Sequence, residues 1–162
     1  MRVFFVVAIA LFSAACGGAS GPPYKPVADV KMLMASIMDP IADQYWGAVG
    51  TVIDDTGEHE LAPKTAEEWD AVRNAAVIVA ESGNLLMMPS RAKDGGEWMR
   101  AARRLIETAE ACIRAAEARD KTAVFDRGAE MYDACVNCHV KYSPEIVNAS
   151  KEQPPARTPK QP

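Results

Sequence analysis

Val30, Met34, Ile37 and Ile41 recur at spacings of four, three and four, which is one face of an amphipathic helix beginning after Pro26. Asp39-Pro40 interrupts that stripe. A proline inside a helix lacks an amide donor and clashes with the preceding turn, whereas Asp as N-cap followed by Pro at the first helical position is a restart signal. The pattern predicts a kink or break near Met38, with helical residues resuming through Trp46 to about Val49. Gly50 to Pro63, with Asp54-Asp55-Thr56-Gly57 inside it, reads as a surface loop.

Thr65-Ala66-Glu67-Glu68 has the form of a capping box and opens a second helix. Its apolar stripe is Trp69, Val72, Ala76 and Val79, and Gly83-Asn84 reads as its stop. After a connection rich in Gly, Pro and Ser, a third helix is predicted from about Glu97 to Asp120. There Trp98, Ala102, Leu105, Ala109, Cys112 and Ala116 keep the spacing of a bundle seam. Cys112 reads as a buried, inert thiol on that seam. Arg100, Arg103, Arg104, Arg114 and Arg119 lie mostly off it, as a solvated face. Asp120-Lys121-Thr122 caps a fourth helix whose seam is Val124, Gly128, Met131, Cys135, Cys138 and Tyr142, and Ser143-Pro144 ends it. The expected fold is all-α, a four-helix bundle over residues 26–146, with 147–162 as a disordered, Pro-rich tail.

At 162 residues the chain suits one domain, and its apolar content is carried by Ala, Val, Leu and Met without the β-branched alternation of strands. Residues 1–15 join one positive charge to a short apolar core and small residues, an export signal too short to span a membrane. Ser13-Ala14-Ala15-Cys16-Gly17-Gly18 resembles the lipobox of bacterial lipoproteins, although that family prefers Leu where Ser13 stands. The resemblance implies a lipidated Cys16 and a membrane-anchored periplasmic protein; ordinary signal cleavage is the alternative. Residues 17–25, rich in Gly and Pro, read as a tether. The net charge is −4, and loss of Arg2 with the signal leaves −5, which argues against nonspecific nucleic-acid binding.

The chemistry concentrates in Cys135-Val136-Asn137-Cys138-His139. Two thiols one helical turn apart reach the vinyl groups on one edge of a haem while the adjacent His ligates iron, the attachment signature of a single, covalently bound haem c. Export agrees with this, since the motif's resemblance implies attachment outside the cytoplasm. Two rival readings exist. A zinc site needs four nitrogen or sulfur ligands, for which Cys112, Cys16 and His59 offer no paired spacing. A thioredoxin-like pair belongs at a strand-to-helix turn, and this pair sits within a helical pattern.

Helices at these spacings with Cys135, Cys138 and His139 on the last one resemble the class II c-type cytochromes, the cytochrome c prime family, over about Pro26 to Glu145. That resemblance implies a non-enzymatic haem protein whose distal residue comes from the first helix. An apolar distal residue leaves iron five-coordinate and open to NO or CO, and a Met closes a six-coordinate electron-transfer site. No Met follows Cys138, and Leu33-Met34 resembles the Leu-Met pair of the Met-ligated subgroup. Met34 is therefore the expected distal ligand, with Met38 next, no ligand after that, and His59 a remote option. The family also implies a basic residue for a propionate, for which Arg91 and Lys31 are candidates. It further implies redox partner proteins, and a homodimer formed through the first two helices. The Asp39-Pro40 break and Cys16 depart from the family pattern.

Overall fold

The computed structural model describes residues 24–152. The expected export signal, Cys16, residues 17–23 of the tether and residues 153–162 of the tail lie outside the described residues.

The Asp29 carboxylate accepts the Met32 amide at 2.7 Å and so starts α1 (Val30–Leu33). A π turn (Met34–Met38) and α2 (Asp39–Trp46) follow without interruption. The break expected at Asp39-Pro40 is thus a change of helical pitch. The Asp39 amide reaches back five residues to the Met34 carbonyl. A wide turn immediately before Pro40 eases the clash a proline ring makes with the preceding α-turn.

The stretch expected to be a loop is an antiparallel hairpin, β1 (Gly50–Asp54) paired with β2 (Gly57–Leu61), with Val52 opposite His59. Asp54 accepts both the amide and the hydroxyl of Thr56, and Gly57 takes a φ of 127° that favours glycine. Nearly every strand residue is exposed, so no alternation of apolar and polar positions marks the hairpin in the sequence.

The Thr65 and Glu68 capping box opens α3 (Ala66–Leu86) as expected. Gly83 does not end it. That residue is buried where α3 crosses α4 (Glu97–Glu117), and a Cβ there would lie 2.5 Å from Ile106 Cγ1. Its missing side chain serves close helix packing and not a stop. Arg119, at φ 53°, turns the chain into α5 (Lys121–Tyr142), capped by the Asp120 carboxylate on the Ala123 amide at 3.0 Å.

Helix α5 stops at Tyr142, but Pro144 begins α6 (Pro144–Glu152), because proline is tolerated in the first turn of a helix. The expected all-α, four-helix bundle is corrected on both counts. Among the described residues there are five helical rods, taking α1 through α2 as one, together with a β-hairpin, and the Cys-x-x-Cys-His helix is not the last.

Helix α3 packs on α4, α4 on α5, and α2 on α3, around a core that includes Leu33, Val72, Val79, Trp98, Leu105, Val124 and Met131. Cys112 is fully buried there, 4.0 Å from the Met131 sulfur. The first helix meets α5 where Tyr45 donates to the Val124 carbonyl at 3.2 Å and Trp46 donates to the Gly128 carbonyl at 3.0 Å. A Cβ on Gly128 would come within 3.2 Å of both aromatic rings, so that glycine lets the two helices approach.

Candidate functional site

Cys135, Cys138 and His139 occupy one turn of α5, and all three are half-buried. Spacings of three and four put them on one helical face. Both thiols are free. The end of this helix is fastened to the start of α4: Tyr142 donates to the Asp94 carboxylate, Lys141 pairs with Glu97, and the Tyr142 ring meets Trp98 edge-on at 4.9 Å. Trp98 is itself held by donation from its indole to the Leu86 carbonyl at 2.8 Å.

The three residues open onto a cavity of about 610 Å³. Its far walls come from the first helix through Met34, Met38 and Trp46, from α4 through Trp98 and Leu105, and from α6 through Ile146 and Val147. Two thiols, an imidazole and the thioethers of Met34, Met38 and Met131 therefore share a largely apolar chamber. Such a donor set and lining fit a flat, apolar macrocycle that thioether bonds would hold, with nitrogen and sulfur donors at hand for its metal.

Burial, reinforced by Cys138 and by the Asp39 carboxylate, pushes the Cys135 thiol up to about 11, and burial raises Cys138 as well. Reactive Cys-x-x-Cys pairs have a thiol lowered by a helix N-terminus or a cation. Here the pair lies near the C-terminal end of a 22-residue helix, and burial is the first cause of both shifts. For a bare zinc ion, the described residues contain no group of three or more His, Cys, Asp or Glu placed to hold it.

Other expected residues lie elsewhere. Arg91 is buried and donates to the carbonyls of Ala28 at 3.1 Å and Leu85 at 3.2 Å, so it pins the entry to α1 and does not line the cavity. Lys31 is exposed, away from the lining. His59 is exposed on β2, 2.7 Å from the Thr56 hydroxyl and 3.3 Å from Asp54. The charged residues in the cavity lining are Asp39 and Asp43, together with the titratable His139. Sequence patterning passed over the contribution of α6, because Ser143-Pro144 carries the same letters whether a helix ends or begins there. No described helix is long and apolar enough to cross a membrane.

Comparison with known protein families, with curated proteins and with solved structures finds no match to this chain.

Proposed function

We propose that the chain is an exported mono-haem c-type cytochrome that carries electrons between partner proteins. The observation that supports this best is the meeting of Cys135, Cys138 and His139 with two first-helix methionines around one cavity. The resemblance to the class II cytochromes points the same way.

In this reading the Cys135 and Cys138 thiols would hold a haem through thioether bonds to its two vinyl groups, an addition that consumes no external oxidant or reductant. At each, an S–C bond would replace the S–H bond and the hydrogen would go to the neighbouring vinyl carbon. His139 would ligate the iron through its imidazole. A thioether from the first helix, Met34 or Met38, would also ligate it, a soft sulfur that favours Fe(II) and raises the reduction potential. When bound, the haem supplies an iron that takes up and releases one electron. The apolar walls from Trp98, Leu105 and the first helix would limit water around it, which also tunes the potential. Signal-like residues 1–15 and the lipobox-like Cys16 support a periplasmic, lipid-anchored location.

Expression alongside haem-maturation machinery tests this directly. A haem-stained band that survives a denaturing gel, lost when Cys135 and Cys138 are both changed to Ser, is the expected result. A colourless protein would return the zinc-binding alternative. A ferrous spectrum unchanged by CO distinguishes an electron carrier from a five-coordinate gas-binding protein.

A further inference from the structure

The first helix departs from α geometry where it borders the cavity, and the departure chooses between its two methionines. In a continuous α-helix each residue advances by about 100°, so Met34 would stand about 40° from Met38 on one face and Leu33 about 140° away. A π turn accommodates one extra residue and so rotates the preceding segment by roughly 100°. Leu33 then comes to about 40° from Met38, and Met34 moves to the far edge, about 60° off.

Burial agrees with the rotated arrangement. Leu33 is 1 % exposed and Met38 5 %, in line with the buried Ala42 and Tyr45 further along. Met34 is half-buried, and Ile37, which a continuous period places inward, is 37 % exposed. The rotation is anchored at both ends. Upstream, Arg91 holds the Ala28 carbonyl, and Asp29 caps α1. Downstream, Pro40 favours a wide turn before it, and Tyr45 and Trp46 bind the α5 backbone. Met38 and Met34 both line the cavity, but only Met38 is in its buried register.

Resting on the cytochrome reading, we infer that Met38, set inward by the π turn, is the methionine that ligates iron, and that Met34 packs at the edge of the site. Of the two first-helix thioethers, the better shielded from water is the one on the core-facing line of the helix. Leu33 and Pro40 act as positioning residues, one filling the core beneath the turn and the other imposing the turn.

The test uses the full haem-loaded protein and two volume-conserving variants, Met38→Leu and Met34→Leu, which remove a sulfur without opening a hole. Met38→Leu is expected to turn a low-spin spectrum high-spin, to admit CO and to lower the reduction potential, while Met34→Leu keeps the wild-type spectrum and potential. The reverse pattern overturns the assignment in favour of Met34, and low-spin spectra in both variants overturn it in favour of another ligand. Wild type that carries covalent haem yet is already high-spin also overturns it, and leaves haem attachment standing. Wild type without covalent haem instead defeats the cytochrome reading itself, so the two failures are distinguishable on the denaturing gel.

Discussion

Tyr142 donates its phenolic hydrogen to Asp94, joining the residue three past His139 to the loop that begins α4. The same carboxylate accepts the amides of Gly96 at 2.8 Å and Trp98 at 3.1 Å, so one side chain caps α4 and tethers α5. Tyr142's bond, followed by that of the Trp98 amide, holds the Asp94 carboxyl below its ordinary range. Burial and then Asp94 push the Tyr142 phenol up to about 12.

A depressed carboxyl stabilises the folded state above the ordinary Asp value, and that contribution is lost as pH falls through the lower, folded value. Asp94→Ala is therefore expected to lower Tm near neutral pH by about 2–8 °C. The gap between variant and wild type should close in strong acid. Thermal unfolding followed by circular dichroism across pH measures this; a gap that widens on acidification contradicts the assignment.

Gly83→Ala sets helix propensity against packing. Alanine gains about 1 kcal/mol over glycine inside a helix. Its methyl would sit 2.5 Å from Ile106 Cγ1 and 3.2 Å from the Ala102 carbonyl, a backbone atom that cannot easily yield. Overpacking of this kind costs about 1–3 kcal/mol. The net effect expected in urea titrations is a loss of up to about 2 kcal/mol, and a stabilised variant would mean that α3 and α4 are further apart than described.

Protein made without haem maturation should have sluggish thiols. With Cys135 raised to about 11, its alkylation rate is expected to rise about tenfold per pH unit up to that value. Peptide mass spectrometry after timed iodoacetamide treatment measures it, and a rate that levels off below pH 9 would contradict the burial. Above the ordinary thiol range the folded state keeps protons that the unfolded chain releases, so stability falls as pH climbs toward 11. Haem-loaded protein should resist alkylation at both sites.

Cys16→Ser is expected to move the protein from the membrane to the soluble periplasmic fraction, since lipid chains and not a spanning helix would hold it. Fractionation after gentle lysis shows which holds. Wild type already in the soluble fraction favours ordinary signal cleavage.

What the sequence determined by itself is what depends on neighbours within a turn or two. Thr65 and Glu68 cap α3, Asp120 caps α5, and Trp98, Ala102, Leu105, Ala109, Cys112 and Ala116 form the buried line of α4. The one-turn spacing of Cys135, Cys138 and His139 is of the same kind. Other features escaped because their cause is not local. The strands of the hairpin bury almost nothing, Gly83 is used by a residue on another helix, and Ser143-Pro144 both closes α5 and opens α6. The approach of Met34 and Met38 to a motif about a hundred residues later in the chain was implied only by the family resemblance, and it is the tertiary structure that brings them to one cavity. A hydrophobic period states which residues share a face only while the number of residues per turn stays constant. Between Met34 and Met38 it does not, and the packing of Leu33 inward, under a turn widened ahead of Pro40, decided which methionine faces the core.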